Sequence, residues 1–189
     1  MLDALSTLNN RNILVVATGC IGAMFLPTWV SWMQTVVPQV NIRVLLTHSA
    51  RRFVTDDAIS PFLKSEILSD TWNDPSHPHI HIDLLDWPDG YLVHPASIHF
   101  LSRISLGLCD SPLMLTLQGT QKPIVVGVSA PPGFVNGPMW QRYLDLLAER
   151  NNISVLSPMV GSSALLENTP GSPPVLFSDA LASLAELMQ

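Results

Sequence analysis

Charge is what this 189-residue sequence has least of: charged residues make up 13% of it, against 47% hydrophobic. The nine Lys and Arg form no run, and the formal net charge is −6. That balance argues against nucleic acid as a partner, because a basic face supplies most of such affinity. Cysteine is almost absent. Cys20 and Cys109 are too few for a disulfide framework, which points to a reducing, cytoplasmic setting. No Cys/His spacing of a zinc site occurs, and the His-rich stretch at 77–81 lacks partners at ligand spacing, so no metal is expected. No apolar run looks membrane-spanning, since the longest, 13–33, is interrupted by Gly, Thr and Pro27. The opening residues, MLDALSTLNNRN, are too polar for a signal peptide. So low a charged fraction leaves apolar surface in need of cover, and self-association is expected.

What is present is alternation. Apolar stretches of strand length lie at 12–19, 42–50, 89–97, 123–130 and 153–158, with a short, weaker one at 67–70. Helical spacing falls between them, at 23–37, 97–108, 137–150 and 178–188. Pro27 and Pro138 suit first turns, and Ser97 and Ser178 suit N-caps. Strands apolar on both faces and separated by helices predict a parallel sheet covered on both sides. The fold expected is therefore α/β: one doubly wound (Rossmann/flavodoxin-like) domain over 1–189 with a mainly parallel sheet. Ligands of such sheets sit outside the carboxyl ends of the strands. The Gly, Ser and Pro of 160–175 predict a flexible loop, and long loops of this kind are often functional.

The strand ends carry the candidate chemistry. The first ends in ATGCIGA, where Gly19 lets the backbone approach an anion and the next helix offers free N–H groups. The second ends in THSA, whose Thr47 and Ser49 place hydroxyls at the same sheet edge. A single compact phosphate cradle favours a mononucleotide over a dinucleotide. His81 opens HIDLLDWPDGYLVHPAS. Taken alone it reads as a surface residue ahead of a buried strand or as a residue delivered to a reaction site.

The order of these motifs is specific. T-G-x-I, then T-x-S-A, then H-x-x-L-x-x-W, then P-A-S, then N-x-x-M-W, spread over residues 12–158, resembles the flavin-containing cysteine decarboxylases. That homo-oligomeric family includes peptide-cysteine decarboxylases of lantibiotic biosynthesis and phosphopantothenoylcysteine decarboxylase. The resemblance implies FMN as cofactor. It implies FMN contacts from Gly19, Cys20, Ile21, Thr47, Ser49, Phe53, Pro95, Ala96, Ser97 and His99. Cys20 stands where a Ser hydroxyl often meets the phosphate, and His99 and Phe100 stand where the family's P-A-S-A-N-T motif has Asn and Thr. His81 takes the position of the catalytic base, because Leu84 and Trp87 follow at the right offsets. Asn136 takes the position that holds the substrate carboxylate, with Met139 beside it, and Trp140 is expected to pack. Gly107 and Asp110 match the family's helix-end pattern, and Cys109 is read as a small core residue.

The chemistry implied is oxidative. Decarboxylating an unactivated cysteine leaves a carbanion with no sink, and flavin oxidation of the Cα–Cβ–S unit to a thioaldehyde provides one. Phosphopantothenoylcysteine decarboxylases then reduce the enethiol with a cysteine in a Gly-rich loop, and 157–172 here holds no cysteine. The expected activity is FMN-dependent conversion of the C-terminal cysteine of a precursor peptide to an aminoenethiol, by a trimeric or dodecameric homo-oligomer. The alternatives are phosphopantothenoylcysteine decarboxylase itself and a non-catalytic FMN-binding regulatory subunit.

Overall fold

A computed structural model describes residues 5–162 and 170–189. Six strands form one sheet: β1 (Asn12–Ala17), β2 (Asn41–Leu46), β3 (Leu68–Ser69), β4 (Gly90–Ser97), β5 (Ile124–Ser129) and β6 (Ile153–Leu156). Their order is β3-β2-β1-β4-β5-β6, and every neighbouring pair is parallel. This is the doubly wound sheet expected. The chain moves outward from β1 on one side and returns to start again at β4, so the reversal of order lies between β1 and β4. Their carboxyl ends diverge there and leave a crevice.

Strand composition explains the layering. β1 is buried along nearly its whole length, because both of its faces are covered. Ile13, Val15 and Ala17 face one apolar cluster with α1 (Leu26–Val36). Leu14 and Val16 face the other, with Tyr91, Val93, Val126 and Val128. The second cluster is closed by α3 (Ile80–Asp86), α4 (Ile98–Ser105), α5 (Pro112–Gly119) and α6 (Pro138–Ala148). A short α2 (Asp56–Ile59) follows β2, and α7 (Phe177–Leu187) returns to the first face, where Phe177, Leu181 and Leu184 are buried. No helix among the described residues is long and apolar enough to cross a membrane.

Three details differ from expectation. His81 does not lead directly into a strand; it lies in the first turn of α3, whose Ile80 and Leu84 are buried one turn apart. Ser178 does not cap the last helix, because helical geometry already begins at Phe177 and Leu176 holds the cap position. Cys109 is exposed rather than core. Gly107, at φ +71°, follows the end of α4, and 106–110 run across the surface. Ser97, by contrast, caps α4 as expected, its Oγ accepting from the Phe100 N–H at 3.3 Å. Of the loop expected at 160–175, 163–169 lie outside the described residues. Its two flanks pair antiparallel, Gly161–Ser162 with Pro170–Gly171.

Candidate functional site

A cavity of about 220 Å³ opens at the carboxyl ends of β1, β2, β3 and β4. Of the residues predicted from sequence, Gly19, Thr47, Ser49, Ser97 and His99 line it. The loops after β1 and β2 approach closely. A Cβ on Gly19 would stand 2.6 Å from Ser49 Cβ, so only glycine fits without a shift. From ATGCIGA the expectation was an approach of the backbone to an anion; the close approach here is between the two loops.

Thr18 organises the floor and was not singled out from sequence. Its Oγ1–H donates to Pro95 O at 2.9 Å and accepts from the Ser97 N–H at 2.7 Å, while its own N–H donates to Pro95 O at 3.1 Å. One hydroxyl thus ties the end of β1 to the Pro-Ala-Ser end of β4. Pro95 and Ala96 are buried below the cavity rather than lining it, at a register shift between β4 and β5 that follows a cis His94–Pro95 bond. Ser97 is the residue of that motif that reaches the cavity.

Cys20 turns away from it. The buried thiol lies 3.7 Å from Thr18 Oγ1, and burial pushes its pKa up against the smaller opposing effects of Thr18 and Ser129. Its neutral, inward-facing sulfur is therefore packing against strand ends, and an anion in the cavity would be met by the neighbouring hydroxyls and backbone. Ile21 and Phe53 are both exposed and stand outside the cavity lining.

Three further groups in the cavity escaped sequence reasoning. His48 belongs to the THSA turn, Asp70 follows the short β3, and Arg103 lies one helical turn beyond His99 on α4. The i, i+4 spacing of His99 and Arg103 was the available signal. Arg103 is oriented by Asp110, which receives Nε and Nη2, and by Ser111 Oγ at 2.9 Å from Nη2. The guanidinium holds the Asp110 carboxyl below its usual range. Asp70 Oδ1 accepts from the Leu113 N–H at 2.9 Å, fixing the start of α5. The cavity thus offers hydroxyls, a helix N-terminus and a fixed guanidinium, a donor set suited to a phosphate monoester.

The predicted chemical residues sit apart from this lining. His81 is half-buried, its ring 5.4 Å from the exposed Trp72 ring at a tilt of 56°. Its Nδ1 is buried with no hydrogen-bond partner among the described residues. Its backbone O accepts from Thr116 Oγ1 at 3.1 Å, which pins α3 to α5. Asn136 is exposed at the end of a single 3-10 turn, Phe134–Asn136, and Met139 is half-buried in the first turn of α6. Trp140 is buried in the core, as expected.

Comparison with known proteins agrees with this geometry. A profile of the family described as Flavoprotein matches residues 2–173. Cypemycin cysteine dehydrogenase (decarboxylating) from Streptomyces sp is 30% identical over 118 residues, 62% of this chain and 62% of that protein. The coenzyme A biosynthesis bifunctional protein CoaBC of Bacillus subtilis (strain 168) is 31% identical over 150 residues, 79% of this chain and 34% of that protein. The chain therefore spans less than two thirds of either relative. Solved structures share the fold. Cypemycin decarboxylase CypD superposes with a TM-score of 0.77 at 22% identity, covering 96% of this chain and 95% of that one. The FMN-dependent cysteine decarboxylase SpaF gives 0.79 at 20% identity, covering 96% and 98%. A cysteine-to-serine mutant of PPC decarboxylase complexed with pantothenoylaminoethenethiol gives 0.75 at 23%, covering 93% and 97%.

These matches bear out the resemblance to flavin-containing cysteine decarboxylases read from the motifs. They bear out FMN as the expected cofactor, the one named for SpaF. With its parallel sheet, its strand-end cavity and a family profile that spans most of its length, this chain belongs to the Flavoprotein family.

Proposed function

We propose that the protein is an FMN-dependent decarboxylase that oxidises the C-terminal cysteine of a precursor peptide and releases it as an aminoenethiol. The observation that carries the choice of product is the placement of its two cysteines. Cys20 is buried against Thr18 and Ser129, Cys109 lies on the exposed turn after α4, and no cysteine follows. The PPC decarboxylase captured with an aminoethenethiol had a cysteine replaced by serine. The absence of a cysteine from residues 110–189 favours a product left as an aminoenethiol.

The cavity residues fit FMN, since Thr47, Ser49 and Ser97 bring hydroxyls to it beside the start of α4 and the guanidinium of Arg103, held by Asp110 and Ser111. Ser49, Ser97 and Arg103 would hold the phosphate, with Thr47, Gly19 and His99 around it. When bound, FMN supplies the two-electron acceptor for the substrate Cα–Cβ–S unit, which makes a C=S bond able to receive the electrons that departing CO2 leaves behind. His81 takes the proton of the substrate thiol on a ring nitrogen, a task for which imidazole is suited near neutral pH. Asn136 donates its amide hydrogens to the substrate carboxylate and does not titrate. Met139 packs beside the substrate.

Exposed Ile21, Met24 and Phe25 form an apolar patch at the strand ends, which supports a homo-oligomer, as a trimer or a larger assembly of trimers. The test is incubation of the purified yellow protein with a peptide ending in cysteine. The expected mass change is loss of CO2 and two hydrogens. Loss of CO2 alone, on phosphopantothenoylcysteine only, would overturn the peptide reading. His81→Asn should keep the bound flavin and abolish turnover.

A further inference from the structure

His94 is fully buried, and the proposed chemistry gives it no task. Its ring is caged on three sides. Trp29 meets it edge-on at 4.7 Å, and Phe177 does so at 5.5 Å. Gly127 on β5 lies so close that a Cβ there would stand 2.4 Å from His94 Cδ2. Nε2 is 2.9 Å from Val175 O. A carbonyl can only accept, so Nε2 carries the hydrogen and Nδ1 is the bare nitrogen, which has no partner among the described residues. Burial pushes the pKa down to about 4, so the ring is neutral at working pH.

An imidazole with an unsatisfied nitrogen is a costly core residue, and an aliphatic side chain would fill the same space more cheaply. What the imidazole adds is a directed bond to a particular backbone carbonyl. That carbonyl belongs to the segment running from Pro170 to Phe177. The segment is also held by its pairing with Gly161–Ser162 and by two further backbone bonds: Ala130 N–H to Ser172 O at 2.9 Å, and Met159 N–H to Pro173 O at 2.8 Å. Ala130 leads within a few residues into the turn that presents Asn136. On its other side, His94 precedes the Pro95–Ser97 end of β4, which borders the cavity. Trp29 of the same cage also lies under the loop after β1, where a Cβ on Gly22 would meet Pro95 Cγ at 3.7 Å and Trp29 Cη2 at 3.9 Å.

We propose that His94 is a positioning residue. Its Nε2–H fastens Val175, and thereby sets the 170–177 segment, and through its bond to Ala130 the chain leading to the Asn136 turn, in register with the β4 end that borders the cofactor cavity. The role assigned to Asn136 rests on the functional reading above; the fastening of Val175 does not.

Two substitutions test it. His94→Leu removes the donor and keeps an apolar side chain in the cage. His94→Gln keeps an Nε2 donor. Hydrogen exchange of the 171–177 peptide is read with and without FMN, together with the FMN dissociation constant and the KM and kcat for a cysteine-terminated peptide. The expected result for His94→Leu is faster exchange of that peptide and a KM raised several-fold to about tenfold, the scale of one neutral hydrogen bond. FMN affinity stays within about twofold, because His94 does not line the cavity. His94→Gln restores both exchange and KM. Wild-type exchange in His94→Leu overturns the proposal. So does a His94→Gln protein as impaired as His94→Leu, which would place the whole effect in ring packing. If His94→Leu does not fold, His94→Gln alone decides: wild-type exchange and KM support the proposal, and loss of either overturns it. If the wild-type protein turns over no peptide, the functional reading fails while the exchange comparison still judges the fastening.

Discussion

Acid should destabilise this protein through His94 by an amount that the burial of the ring sets. An imidazole has a pKa near 6.5 in the unfolded chain, and burial lowers that of His94 to about 4 in the native state. The unfolded state therefore binds the proton more readily. Stability is full above the unfolded value and falls as pH drops from about 6.5 through about 4. Each pH unit in that window removes about 1.4 kcal/mol, so roughly 3 kcal/mol is lost by the lower end. The backbone bond to Val175 opposes the shift, since it raises the pKa against the larger effect of burial. Other groups titrate in acid too, Asp110 among them, so the comparison is with His94→Gln, which cannot titrate there. Urea unfolding at closely spaced pH values from about 7 to about 4 gives both stability curves. The wild-type curve should fall more steeply, and the gap between the two should change by roughly 3 kcal/mol across the window. Parallel curves would refute the reasoning, because they would mean that the ring is hydrated or charged in the native state.

Two substitutions probe the cavity. Gly19→Ala drives a methyl carbon to 2.6 Å from Ser49 Cβ, so the two loops must separate. The expected cost is about 1–3 kcal/mol in thermal or denaturant unfolding, with at least about tenfold weaker FMN binding by fluorescence quenching. Thr18→Val keeps the shape but deprives the Ser97 N–H and Pro95 O of the hydroxyl that joins them. A loss of about 1–3 kcal/mol in stability, with weaker FMN binding, is expected from the Ser97 N–H left unpaired, while Pro95 O keeps the Thr18 backbone N–H.

The sheet was legible because each long strand is a compact apolar run bounded by turn residues, and buried parallel strands have that composition. α3 was not. Ile80-His81-Ile82-Asp83-Leu84 alternates apolar and polar residues with a period of two and so imitates a strand, yet the structure buries Ile80 and Leu84 at i, i+4 and exposes Ile82. α5 was hidden for the opposite reason. Pro112 to Leu117 is buried almost all round, so PLMLTLQG shows no polar face to set a period. Within the site, Gly19, Ser49 and Ser97 were legible because turn and cap chemistry is local. Thr18, Asp70 and Arg103 were not, since what they do depends on strand ends that only the folded sheet brings together. The direction of the Cys20 thiol was not legible, because Thr18 and Ser129, which lie near it, belong to two different strand ends.

The claim that the substrate's two electrons stay on the flavin and leave an aminoenethiol can be read from one spectrum. Without oxygen, a cysteine-terminated peptide is added to the flavin-loaded protein and the flavin absorbance is followed. The account predicts bleaching, one flavin for each CO2 released, with colour returning on admission of air. Steady release of CO2 with no net bleaching would contradict it, because the electrons would then be returning to the product.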